Sequence, residues 1–405
     1  MNQTILHKFY QGINSSTERL LWDGLDLNGR NAMVELLIRN EISKPYIIVC
    51  ENDRRVKELS VQLERVVPLP VLSIYEQSHL PVEVLAKEEN EGDRTFALAM
   101  LMQKRPCVIV INVMALMDYY PKTDYFKQGI LSVKVGQIFE QEDFLETIYN
   151  LGYEVSSVCD QPGIFAKRGG IVDIFSPNNV SPVRIEWFDD EIDSIRFFSS
   201  ETQKSEENTE EVTLIPAQTW FFSPLLKNKI ETQISKELTA KRERYSKETY
   251  EQLASRLSEV GHLENDSAIL RYYAYLLEEY QGTLFDYLTP DTVICVDGVE
   301  MVEDTLRSKM EAILNQLTDL IEFGYILPSK IDQMLTLEKM KAYLGKRHLV
   351  LLSEVKTSKP FFDYDEVLYY PVRSNPLKAY PVNQFIEDIK RYANEAYRLI
   401  FYHDD

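Results

Sequence analysis

Gly24 and Gly29 stand at the spacing of a phosphate-cradling loop, just ahead of a helical stretch over residues 31–39. In such a loop, backbone amides and a lysine hold the phosphates, and a serine or threonine hydroxyl ligates magnesium. Here Arg30 and Asn31 occupy those two places, and Asp26 puts a negative charge where phosphates would lie. The acidic partner would be an apolar strand ending in Asp-Glu. Val293-Ile294-Cys295-Val296-Asp297 ends in Asp, but Gly298 follows. Gly24, Gly29, Arg30 and Asn31 therefore read as a degenerate phosphate loop, a turn from which no ATP hydrolysis is expected. A diverged domain that still binds or hydrolyses nucleotide is the alternative.

Other catalytic chemistry finds no foothold. His7, His79, His262, His348 and His403 show no metal-site spacing, and no G-x-S-x-G elbow occurs. Asp189-Asp190 and Glu206-Glu207 fit solvated turns better than acid–base dyads. No catalytic residue, metal or cofactor is expected.

Recognition chemistry is better represented. Arg168 precedes Gly169-Gly170, where two glycines permit a bend or close backbone approach. In the run from Val183 to Phe188, alternation places Val183, Ile185 and Trp187 on one face and Arg184, Glu186 and Phe188 on the other. Arg184 and Phe188 would then lie about 13 Å apart at ~3.3 Å per residue. An exposed arginine beside an exposed phenylalanine, with Arg168 close by, has the composition of a protein-binding hot spot. A surface cation beside an aromatic covered by a neighbouring domain fits the same pattern.

The elements that must position these residues form two classes. Up to about residue 115, short apolar strands (Tyr46–Cys50, Val71–Tyr75, Cys107–Val113) alternate with helical stretches, the signature of a parallel sheet covered on both faces. From about 119 to 198 the pattern changes to period-two runs with one helix, an antiparallel β unit. Residues 201–211 are rich in Glu and read as a solvated connection. Helical patterns then return: an exposed charged arm over 225–259, a more apolar helix at 267–280, and helices at 301–322, 336–344 and 382–396. Buried strands at Val293–Val296 and Leu349–Leu352 lie among them, with further strands at Val367–Tyr370 and Arg398–Tyr402. A final strand with no helix after it reads as a cut from something longer.

The 405 residues allow two or three domains, and the formal charge of −20 argues against nucleic acid as a direct partner. The longest apolar run, Val108–Met117, is too short for a membrane helix, and the first 20 residues lack the pattern of a secretory signal. Cys50, Cys107, Cys159 and Cys295 are widely spaced and read as buried packing residues. A cytoplasmic protein is expected.

Residues 161–175, 182–196 and 201–205 closely resemble bacterial transcription-repair coupling factors, with a looser likeness to the excision-repair protein UvrB. Lys134–Gln137, Leu214–Ala217 and Leu284–Leu288 support the resemblance. It implies a degenerate RecA-like domain in two parts, 1–118 and 213–355, interrupted by a UvrA-docking β domain at 119–212. Residues 356–405 would begin a truncated small α/β domain. By motif position the UvrA-contacting residues would be Arg168, Arg184 and Phe188. The full-length family is an ATP-dependent DNA translocase that displaces stalled RNA polymerase. Its ATP and Mg sites, and its contacts with RNA polymerase and duplex DNA, belong to parts not present in these residues. A monomer without membrane contact is implied. Trp187 stands where the family usually has another apolar residue, and UvrB's damage-binding hairpin has no visible counterpart.

Overall fold

A computed structural model describes residues 19–77, 91–260, 267–332, 334–355, 361–369 and 382–395. The first part supplies β1 (Arg19–Asp23), α1 (Leu27–Asn40), β2 (Tyr46–Cys50), α2 (Asp53–Val66), β3 (Val71–Ile74), α3 (Glu91–Met102) and β4 (Val108–Asn112). The last part adds β13 (Val293–Asp297), β14 (His348–Leu352) and β15 (Glu366–Tyr369). These seven strands form one parallel sheet in the order β15-β1-β14-β13-β2-β4-β3. The middle strands β2, β4, β13 and β14 are buried at every position, which explains their unbroken apolar sequences. Alternation splits them between two cores. Tyr46, Ile48, Val108, Val110 and Cys295 pack with residues of α1 and α2, while Ile47, Val49, Ile109, Ile111 and Ile294 face the opposite side.

Between the two parts lies the β unit. It comprises β5 (Leu131–Lys134), α4 (Gln141–Asn150), β6 (Glu154–Val155), β7 (Ile164–Arg168), β8 (Ile171–Ile174), β9 (Val183–Phe188), β10 (Glu191–Phe198), β11 (Ser205–Thr209) and β12 (Glu211–Leu214). Six of the strands form a sheet in the order β11-β10-β9-β8-β7-β6, antiparallel except for β6 beside β7. The entry strand β5 pairs antiparallel with the exit strand β12. Phe144 and Ile148 of α4 pack on Val172, Ile174, Val183 and Ile185, in the same core that lies beneath the parallel sheet. A register shift between Ile192 and Ser194 lets Ile192 and Ile195 both enter that core. Tyr153 ties the unit down, its hydroxyl donating to the Ile215 carbonyl at 2.7 Å.

Several expectations need correction. The Glu-rich stretch at 201–211 contains β11, a strand whose side chains are mostly exposed; pairing with β10 satisfies its backbone without burying its carboxylates. The exposed arm over 225–259 is instead α5 (Pro224–Ala240) and α6 (Lys247–Val260). Leu226, Ile230, Ile234 and Leu253 of this pair are buried with Trp220, Phe222 and Tyr280. The 267–280 helix is shorter: α7 (Ser267–Tyr273) gives way to two 3-10 turns, Ala274–Leu276 and Glu278–Tyr280. The strand expected at 367–370 is β15, one residue earlier, and pairs with β1 in the parallel sheet. The strand expected at 398–402 lies outside the described residues.

Lys330 is buried among aromatic rings. Its Nζ lies 3.6 Å from the centre of the Tyr272 ring and 4.7 Å from that of Tyr275, and it donates to the Tyr272 carbonyl at 2.5 Å. Burial holds its pKa well below the ordinary 10.5. Between that lowered value and 10.5 the unfolded chain binds the extra proton, so the Lys330 contribution to stability improves as pH rises through this window. Lys330→Met should therefore raise Tm at pH 7 and gain less at pH 9. Calorimetric scans at both values check this, and a gap that does not change with pH contradicts it.

Candidate functional site

The degenerate loop and the end of β13 do meet. Asp26 caps α1 by accepting the Gly29 N–H at 2.8 Å, so the acidic residue expected to repel phosphate engages the amide that would face one. Gly24 has φ +89°, in the left-handed region. Arg30 and Asn31 are buried, and the Arg30 Nε lies 3.4 Å from Oδ1 of Asp297. Arg55, which the sequence reading did not single out, completes the cluster. It donates to Oδ2 of Asp297 at 2.6 Å and to Oδ1 of Asn31 at 2.5 Å. Its one sequence signal is its position three residues after the α2 cap, Asn52, whose Oδ1 accepts the Arg55 backbone N–H at 2.9 Å. Two guanidiniums thus share one carboxylate, tying the starts of α1 and α2 to the end of β13. Gly298 is required beside them: its φ is +79°, and a Cβ there would come within 2.0 Å of an Arg30 terminal nitrogen. Removing Asp297 strands two cations away from water. Asp297→Ala should cost roughly 3–5 kcal/mol, read as a lower urea midpoint at unchanged slope.

The outer face of the six-stranded sheet holds the other candidates. Phe188, at the end of β9, is 73% exposed. It precedes Asp189, whose φ of +52° turns the chain into β10. Arg168, at the end of β7, is exposed and donates to the Ser157 carbonyl at 2.8 Å. Arg184 differs from the expectation of an exposed arginine. Its side chain is only 17% exposed and forms a two-pronged pair with buried Asp173, at 2.6 and 2.8 Å. The guanidinium also lies over the Phe198 ring, 4.8 Å from its centre. That hydrogen bonding to Asp173 raises the Arg184 pKa further above its ordinary value.

Register explains the arrangement. Ala166, Asp173, Arg184 and Arg196 form one row across the sheet, and Arg168, Ile171, Glu186 and Ser194 the next. Arg184 therefore sits directly opposite Asp173, while Arg168 belongs to another row. Asp173 was not singled out, although its run was read as alternating; its face, shared with Arg184 in the next strand, was the available signal. Glu186 pairs with Arg196 diagonally, one row away. On the same side as Arg184, Cys159, Ala166, Phe175 and Phe198 form a small cluster of their own. Burial pushes the Cys159 thiol up to about 12, a packing group rather than a nucleophile. Among the described residues no group of three or more His, Cys, Asp or Glu is placed to hold a metal ion, and no helix is long and apolar enough to cross a membrane.

Because Asp173 is buried, Arg184→Ala should destabilise the β unit by roughly 3 kcal/mol, the low end for breaking a buried ion pair. The double variant Asp173→Ala/Arg184→Ala should recover most of that loss, since no lone charge stays behind. Denaturant titrations of the parent and three variants test the coupling.

Residues 131–220, which span this sheet, match the family model described as the UvrB interaction domain. The chain is 26% identical over 326 residues to the transcription-repair-coupling factor of Bacillus subtilis (strain 168), covering 78% of this chain and 27% of that protein. It is 29% identical over 240 residues to the transcription-repair-coupling factor of Staphylococcus haemolyticus (strain JCSC1435), covering 58% and 20%. The Staphylococcus aureus (strain MRSA252) protein of the same name is 27% identical over 291 residues, covering 70% and 24%. The chain thus spans about a quarter of the length of these relatives. Its six-stranded sheet lies within a match to the UvrB interaction domain, and most of its length is similar to transcription-repair-coupling factors.

Proposed function

We propose that the chain is the UvrA-docking part of a transcription-repair coupling factor and recruits UvrA to RNA polymerase stalled at DNA damage. The observation that carries this reading is Phe188. A large aromatic is held in water at the end of a hairpin whose neighbouring residues are locked in the core, inside the stretch that matches the UvrB interaction domain. Arg168 stands on the same outer face, with one N–H engaged by Ser157 and the remaining donors suited to acidic or carbonyl groups of a partner. Arg184 acts through Asp173, shaping the face more than reaching out from it.

In this reading residues 119–212 are the docking domain, and 1–118 with 213–355 form the body that carries it. The chain works by binding in the cytoplasm and performs no catalysis of its own. The Gly24–Asn31 turn is structural, its arginine committed to Asp297. Translocation on duplex DNA, ATP and Mg use, and the contact with RNA polymerase belong to the rest of a longer protein.

Titration calorimetry with purified UvrA tests the docking. Phe188→Ala should weaken binding by about 2 kcal/mol or more, some 30-fold. Arg168→Glu should weaken it too, with a loss that shrinks as salt is raised. Unchanged affinity in both variants sinks the assignment. Neither change touches the Asp173–Arg184 pair, so the result is not confused with unfolding.

A further inference from the structure

The same face presents a second large apolar side chain, Ile138, which is 80% exposed. Its backbone is pinned on both sides. The Gly136 N–H donates to the Ile192 carbonyl at 2.8 Å, the Ile192 N–H returns to the Gln137 carbonyl at 3.0 Å, and the Phe139 N–H reaches the Asp190 carbonyl at 2.8 Å. The Trp187 indole N–H donates to the Phe139 carbonyl at 2.8 Å. Residues 137–139 therefore run as an extra strand segment along β10, with Ile138 opposite Glu191. Glu191 is in turn opposite Phe188. Opposed residues of an antiparallel ladder project from the same face, so Ile138, Glu191 and Phe188 form one row. With strands ~4.8 Å apart, the two apolar side chains stand about 10 Å from each other with a carboxylate between them.

The intervening residues turn inward. The Phe139 ring lies 5.6 Å from that of Phe144, and the Trp187 ring 5.1 Å from it. This fixes the row to the core, so little ordering is left to be done on binding. Water gains nothing from two large apolar side chains held rigidly on a surface, whereas a partner with matching recesses does.

Resting on the UvrA-docking reading, we propose that Ile138 and Phe188 form a two-point apolar anchor, with Glu191 selecting a cation or hydrogen-bond donor between two apolar recesses on UvrA. Glu191 and the adjoining Asp189 and Asp190 are all exposed, so this end of the face is acidic and favours a cationic or donor group on the partner, while Arg168 stands on β7, two strands from β9. The contact lies wholly within the stretch matching the UvrB interaction domain.

The test is calorimetric titration of purified UvrA with the full chain and its Ile138→Ala, Glu191→Lys, Glu191→Gln and Phe188→Ala variants. Ile138→Ala should weaken binding at least tenfold at unchanged Tm, because the side chain is exposed. Glu191→Lys should lose more than Glu191→Gln, with the difference shrinking at high salt. If Phe188→Ala weakens binding while Ile138→Ala and Glu191→Lys bind like the parent, the anchor pair is wrong and the docking reading stands. If the parent chain does not bind UvrA, both fall.

Discussion

A single apolar layer is shared by the parallel sheet and the six-stranded sheet. Ile109 and Ile111 of the first and Val172, Val183 and Ile185 of the second belong to the same buried cluster, together with Phe144 and Ile148 of α4. Every β residue on the inner side is committed to that layer, so its neighbour in sequence is committed to the opposite side. The outer face is thus set by the same burial that joins the two sheets. Loosening the layer would blur the display and the junction together.

Within the outer face, charge is mostly balanced internally. Arg184 meets Asp173 and Arg196 meets Glu186, so these four groups act as a polar floor rather than as free hooks. What remains for recognition is at the edge: an arginine at the end of β7 and apolar side chains by the β9–β10 hairpin. Such a surface takes its affinity from apolar seats and its orientation from a few charges. The body's own charge cluster follows the same economy, with two guanidiniums and one carboxylate closed upon one another.

Much of this was legible in the sequence, for reasons that can be named. Unbroken apolar runs such as Tyr46–Cys50 arise only where both faces are covered, and they marked the parallel sheet. Alternation in Val183–Phe188 separated inner from outer residues correctly, and the exposure of Phe188 followed from it. Cross-strand partners were not legible. Whether Arg184 is free or paired depends on register with β8, which no local pattern states. Arg55 was invisible for the same reason: it meets Asp297 across 242 positions of sequence. The α5–α6 pair misled because its apolar positions are sparse, yet Leu226, Ile230 and Ile234, four apart, are enough to seat a helix against Trp220 and Tyr280.

Gly298 bears on the chain's possible futures. Any larger residue there must accept a left-handed backbone and displace Arg30, while Arg30 and Arg55 both rely on the carboxylate one position earlier. A working Asp-Glu strand end and a lysine-bearing loop would thus require replacements at positions 30, 31 and 298, all within the same buried cluster. A larger residue at 298 introduced alone meets Arg30 and a left-handed backbone, so that step passes through a less stable fold, whereas a change at Arg30 leaves Asp297 paired with Arg55. Order therefore matters in this cluster: position 30 has to shorten before position 298 can enlarge.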